Sequence, residues 1–280
     1  MKVLLSPLAG VALRIFATAC ALLATVSSST IAQPPAASKA PIPAAPKQVD
    51  RSWNETIRIA TKHAGQGAAA DDEFLYGISN EAVAKLDRET GELIALSKGE
   101  AAHLNAGSFV DGKLILAHSN YPRQPETSQV MSLDPATMKL TVVHDFGESD
   151  GSLVWVLRHQ GQWWANFAFY GDEYEKSYLA RFDDDWKELQ RWTYPPQLLD
   201  QLHEASLSGG IWREGAFLAT GHDDKILFRL GVPANGKRLE LLGSEKIAFT
   251  GQGFAQDPLT DGLVGIDRAK RQIVFVEEGE

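Results

Sequence analysis

The chain has 280 residues, with 27 basic against 36 acidic side chains and a net charge of −9. An acidic balance without a basic cluster excludes the phosphate-neutralising surface that nucleic acids and anionic membranes require. The single cysteine, Cys20, excludes a disulfide scaffold, and its place in the leader leaves the rest of the chain without a thiol nucleophile or thiolate ligand.

The first predicted element is that leader. "MKVLLSPLAGVALRIFATACALLATVSSSTIAQ" combines Lys2 and Arg14 with an apolar run and then small residues, the layout of a secretory signal spanning 1–32. Thr30 and Ala32 stand at minus three and minus one of a cut before Gln33, and the run is too short and badly flanked for a membrane span. The expected destination is periplasmic or secreted, with no membrane insertion once the signal is removed. Residues 33–50, "QPPAASKAPIPAAPKQVD", are rich in Pro and Ala, have no apolar period and read as an extended tether. About 230 residues follow, enough for one large domain.

The domain opens with "ETIRIAT" (55–61), a strand with alternating Ile, and then "AGQGAAADDEFLYGIS" (64–79), whose Gly-Gln-Gly returns near the other end in "TGQGFAQDPLTDGLVGID" (250–267). Between them, "SFVDGKLIL", "RHQGQWW" and "WREGAFL" each place an X-Gly pair between two apolar strands, a hairpin signal because two-residue turns need positive φ. A second hairpin follows each of these, which gives four strands per unit. Second strands begin near Phe74, Lys113, Gln162, Ala216 and Gly262, a repeat of roughly 40–55 residues that matches the blade of a β-propeller. The last unit ends after "QIVFVEE" without a fourth strand, and "ETIRIAT" has no partner. The predicted fold over residues 51–280 is therefore all-β: a five-bladed β-propeller whose last blade is closed by the N-terminal strand.

Alternating strand direction sorts the polar residues by face. The segments leading into the innermost strands bring His63, Gln66, His103, Asn105, Asp150, Ser152, His203, Ser206, Ser208 and Gln252 to one mouth of the central channel. One layer out, the ends of the second strands supply Asn80, His118, Asn120, Tyr170, Asp172, His222, Asp223 and Asp267 to the same face. Of the 7 histidines only His144 and His159 fall elsewhere. The longer loops "SNYPRQPETS" and "YGDEYEK" form a rim or flap, and loops on a rigid scaffold are where sites usually sit. His103 and His203 are the expected acid/base or metal-ligating pair. Substrate-orienting roles fall to His63, Gln66, Asn105, His118, Asn120, Tyr170, Asp172, His222, Asp223 and Gln252.

Two questions stay open at this level. Imidazoles from three blades could hold one divalent metal ion, zinc first given the absence of thiolates, or could serve without metal as acid and base near neutral pH. Gln66 and Gln252 either face a ligand or act as struts between blades. There is no nucleophile elbow, HExxH, P-loop or dinucleotide fingerprint to decide the reaction.

The set "HLNAG", "AHSNYP", "GGIW", "TGHD", "GQGFAQD" and "GIDR" resembles a family of exported bacterial β-propellers, some of them labelled cycloisomerase-like. The layout is also similar to plant-type glutaminyl cyclases, five-bladed propellers with a Gln-Gly ahead of an innermost strand, as in "AGQG" and "TGQG" here. Gluconolactonase-type propellers share the general build but use an acidic metal site. These resemblances imply an enzyme on a small polar metabolite, of the lactone-hydrolysis or cyclisation class. The alternative is a non-catalytic propeller that binds a ligand or a protein partner on the same face.

Overall fold

The structure is a computed structural model that describes residues 52–279; the expected signal (1–32) and tether (33–50) lie outside the described residues. Five four-stranded antiparallel sheets form the ring of a five-bladed β-propeller. Blade one contains β2 (Gly67–Ala70), β3 (Phe74–Ile78), β4 (Val83–Asp87) and β5 (Leu93–Leu96), preceded in the chain by β1 (Trp53–Ala60). Blade two contains β6 (His103–Val110), β7 (Lys113–Ser119), β8 (Thr127–Asp134) and β9 (Lys139–Glu148). Blade three contains β10 (Ser152–His159), β11 (Gln162–Ala168), β12 (Tyr178–Phe182) and β13 (Glu188–Thr193). Blade four contains β14 (Gly209–Arg213), β15 (Ala216–Thr220), β16 (Ile226–Gly231) and β17 (Glu240–Lys246).

Blade five has three strands from the C-terminal segment, β18 (Ala255–Gln256), β19 (Leu263–Asp267) and β20 (Gln272–Glu278), and its outermost strand is β1. The closing pair is antiparallel and runs from Trp53 opposite Glu278 to Ala60 opposite Gln272. Trp53 is buried, and its indole N–H donates to Glu245 Oε2 of blade four at 2.8 Å, which pins the strand to the neighbouring blade. A register shift lies between Glu55 and Ile57; beyond it the pairing is regular, with Ile59 buried in the core and Ile57 exposed nearer the start of the strand.

The three X-Gly turns have the backbone their sequence demands. Asp111-Gly112, Gln160-Gly161 and Glu214-Gly215 all have positive φ at both positions, from 49° to 78°, which only a turn matched to the right-handed strand twist requires. Third-to-fourth strand turns use a different device. Asp87, Asp134 and Asp183 each accept backbone N–H bonds from residues two to four ahead, the Asx arrangement, and in two of the turns a non-glycine residue, Met138 or Trp186, has positive φ.

Two helical segments interrupt the β pattern, a 3₁₀ turn at Gly171–Lys176 and the helix α1 at Pro196–Leu202. Pro196 at the first helical turn and the i,i+4 pair Leu198 and Leu202, both buried, account for α1. No described helix is long and apolar enough to cross a membrane.

At the axis the strands are built from small residues. A Cβ on Gly253 would lie 2.7 Å from Ala106 Cα in blade two and 3.0 Å from the carbonyl of Gln66 in blade one. Blades five and two are not neighbours in the ring, so their backbones meet across the axis and close the channel at this level. What remains are two separate mouths, one at each end.

Candidate functional site

One mouth gathers most of the polar residues expected from the sequence. Gly67 pairs with Ile78, His103 with Ser119, Ser152 with Ala168 and Gly209 with Thr220, so each innermost strand starts where the second strand ends. The face assignment therefore follows directly from antiparallel register.

One polar group of this face lies at the boundary of blades two and three. Glu126 sits at the end of the β7–β8 loop and is half-buried; the Oγ of Ser152, the first residue of β10, donates to its Oε1. Burial pushes the Glu126 carboxyl up to about 7. Asn120 clasps the loop: its side chain donates to the Pro125 carbonyl at 2.9 Å and accepts from the Thr127 N–H at 2.9 Å. The Ser149 N–H donates to the Glu126 carbonyl at 3.0 Å, which ties the loop to blade three. The rings of Tyr121 and Tyr170 pack at 5.0 Å, and Tyr121 packs on His103 at 5.5 Å. Burial, followed by Tyr121, Glu126 and Tyr194, raises the Tyr170 phenol well above its ordinary range, so it stays a proton donor.

His103 is held below the ordinary imidazole value by burial first, then by His118 and Arg268. Its imidazole is neutral at pH 7. His118 is also lowered, mainly by burial, and its Nε2 accepts the Ala102 N–H at 3.0 Å, which places the proton on Nδ1. A groove of about 1070 Å³ runs outward from His103 past His118, Asn120 and Tyr121.

Arg268 of blade five acts on His103 from the far side of the mouth and approaches His222 Nε2 at 3.5 Å. His222 Nδ1 faces Asp223 Oδ2 at 2.6 Å, so Nδ1 is the donor and Nε2 the acceptor toward Arg268. Arg268 also lines a hollow of about 340 Å³ with Gln66, Asn80 and Arg271. Asp267, beside it, is turned away into a clasp with Arg58 at 3.2 Å and Lys225 at 3.3 Å. Burial pulls its carboxyl upward, but the Lys270 amide, Lys225 and Arg58 outweigh this and hold it below its ordinary value.

Both glutamines have structural bonds. Gln252 Nε2 donates to the His222 carbonyl at 2.7 Å, and its own carbonyl accepts the Thr220 hydroxyl at 2.7 Å, linking blade five to blade four. Gln66 Nε2 donates to Asn80 Oδ1 at 2.5 Å, and its carbonyl accepts the Gly253 N–H at 2.9 Å. Asn105 is buried and donates to the Leu153 carbonyl of the next blade at 3.0 Å. Asp172 lies exposed in the 3₁₀ turn.

His203 departs from its expected place. The segment leading into β14, where the sequence places His203, contains α1, and His203 is the left-handed C-cap of that helix, at φ 48°. Its side chain is 75% exposed and faces Asp224 at 4.0 Å, away from His103. His63 is half-buried beside Gly77, with its pKa lowered by burial and Lys62. The three imidazoles expected at the axis thus do not meet, and among the described residues no three His, Cys, Asp or Glu side chains are grouped to hold a metal ion.

Sequence reasoning passed over Glu126, Tyr121 and Arg268. The long proline-flanked loop carried the first two, and "GIDR" contained the third beside the aspartate that was chosen.

Fold and mouth together define a five-bladed β-propeller with a polar, partly enclosed cavity at one end of a closed axis. No family model matches the chain, and no curated protein matches it. Among solved structures, it is similar to a glutaminyl cyclase from Myxococcus xanthus, with a TM-score of 0.56 and 10% identity over 81% of this chain and 97% of that one. It also aligns with the β-propeller domain of Myceliophteria thermophila Cps50 (Swd1), with a TM-score of 0.44 and 12% identity over 80% of this chain and 99% of that one. The expected likeness to glutaminyl-cyclase propellers holds at the level of architecture.

Proposed function

We propose that the mouth around Glu126 is the active site of an acid/base enzyme acting on a small, carboxylate-bearing substrate, of the cyclisation or cyclic-ester-opening class. The observation that carries this reading is the half-buried Glu126 carboxyl, which accepts from Ser152 Oγ, acts on the Tyr170 phenol and is pushed up to about 7. A carboxyl poised there exists in both protonation states at neutral pH, which suits a group that takes a proton and returns it. In a cyclisation, Glu126 takes the proton of the attacking amine or hydroxyl and delivers it to the leaving group. In ring opening, water is the attacking group. Tyr170 donates to the carbonyl oxygen as charge develops, and Arg268 pairs with the substrate carboxylate from across the mouth. The Myxococcus xanthus glutaminyl cyclase makes cyclisation of an N-terminal glutamine the first reaction to assay.

The test is a panel of glutaminyl peptides and lactones with wild type and Glu126→Gln. Turnover of one class, lowered about 100-fold or more in the variant with the melting curve intact, supports the reading. Full activity in the variant discards it. The second reading is a non-catalytic binding role for the same face, favoured by the 3₁₀ turn, which presents exposed Asp172 and Glu173 with no buried residue of its own. Ligand or partner capture without turnover selects it.

A further inference from the structure

The opposite mouth of the propeller is the better-formed cavity. It measures about 710 Å³ and is lined by residues from all five blades, within the roughly 300–1,000 Å³ of small-molecule sites. Its walls combine an aromatic and aliphatic surface with one charged side. Phe109, Leu157, Ile211 and Trp212 supply the apolar part from blades two, three and four. Phe109 is fixed edge-on against the buried Tyr76 at 5.3 Å, and Trp212 meets Phe217 edge-on at 4.8 Å and stacks on His159 at 4.2 Å. These rings are held in place before any ligand arrives.

The charged side comes from blade one. Asp71 is locked: its Oδ1 accepts the N–H groups of Glu73 at 2.9 Å and Phe74 at 2.6 Å, and its Oδ2 accepts the Tyr76 hydroxyl at 2.6 Å. Asp72 beside it is exposed and lines the cavity. The cations nearby are already spent. Arg88 pairs with Asp257 and donates to the Asp71 carbonyl, while Arg158 pairs with Asp184 at 2.6 Å and lies over Trp163. His159 is kept neutral by burial, so it adds no positive charge at pH 7. The lining is thus acidic at Asp71 and Asp72, apolar at Phe109, Leu157, Ile211 and Trp212, and polar at Ser108, His159 and Gln256, and the one cation in it, Arg158, is offset by Asp184.

We propose that this mouth is a second ligand site, which takes a small organic ammonium ion with an aromatic or apolar body. The ammonium meets Asp72 with Asp71 behind it, and the body lies against Phe109, Ile211 and Trp212. An ammonium between a carboxylate and aromatic faces gains both ion pairing and cation–π attraction. The closed axis separates this site from the one at Glu126.

The probe is 2-phenylethylammonium, with 2-phenylethanol and phenylacetate as the neutral and anionic partners of the same shape, titrated calorimetrically into the protein. Backbone amide shifts in labelled protein locate the site. The expected result is binding of the amine, at least about tenfold weaker binding of the alcohol (about 1.4 kcal/mol), none of the carboxylate, and shifts at residues 70–73 and 108–110. Asp72→Asn, an exposed position where folding is safe, lowers amine affinity about tenfold and leaves alcohol binding unchanged; Glu126→Gln changes neither. No amine binding, equal binding of amine and alcohol, an Asp72→Asn variant with wild-type affinity, or shifts confined to the Glu126 mouth would each overturn the proposal.

Discussion

Replacing Glu126 by glutamine removes one charge and keeps the shape, and Ser152 Oγ can still donate to the amide oxygen. The folded chain raises this carboxyl from its ordinary 4.5 to about 7, because burial makes ionisation there cost solvation. At about 1.36 kcal/mol per unit the ceiling is ~3 kcal/mol, and since the side chain is only half-buried, screening reduces it to about 1–2 kcal/mol. The sign follows from proton counting. Between 4.5 and 7 the folded state binds more protons than the unfolded one, so this group's contribution is greatest at acid pH and lost as pH rises toward 7. Urea melts from pH 4 to 8 should show wild type and Glu126→Gln converging at pH 4, with the variant about 1–2 kcal/mol more stable at pH 8. Other carboxylates contribute the same slope to both proteins, so the difference between the curves isolates Glu126. Parallel curves across the range would refute the burial argument and, with it, the poised acid/base group.

Arg268→Ala should raise KM for a carboxylate substrate about tenfold or more while kcat changes little; steady-state kinetics on substrate and its amide analogue separate the two. Gln252→Ala should cost about 1–2 kcal/mol in denaturant melts, because it removes the buried Gln252 side chain's bond to the His222 carbonyl at the blade four–five seam, and should alter catalysis less than stability. Truncation through Ala60 removes the closing strand and should lower Tm far more than truncation through Asp50; equal melting temperatures would contradict closure by β1.

The blades were legible because local chemistry dictates them. Asp111-Gly112, Gln160-Gly161 and Glu214-Gly215 announce their turns, and four strands between successive turns leave a propeller as the consistent architecture. Second-strand starts at Phe74, Lys113, Gln162 and Ala216 are the observed ones, and the fifth differs by one residue, at Leu263. The site was legible only as a face. His203 was misplaced because a seven-residue helix behind two prolines gives too short a periodic signal to separate from a loop, and the helix turns its cap outward. Glu126 was invisible because its chemistry comes from burial against blade three, a contact between residues 26 positions apart. The opposite mouth needs Asp72, Phe109 and Trp212 from three blades, and nothing in the linear order brings them together before the ring closes.

Closure by β1 also sets an order of events during synthesis. The strand that completes the ring emerges first, and its partner, Gln272–Glu278, emerges last. Blades one to four can each fold as they appear, since their strands are consecutive in the chain. Until β20 is made, β1 has no ladder partner, and the growing chain carries an unpaired strand ahead of blade one. Before that the blades form an open arc, and pairing of β1 with β20 closes the ring. Ring completion joins strands far apart in the sequence, a non-local contact whose loss reopens the molecule.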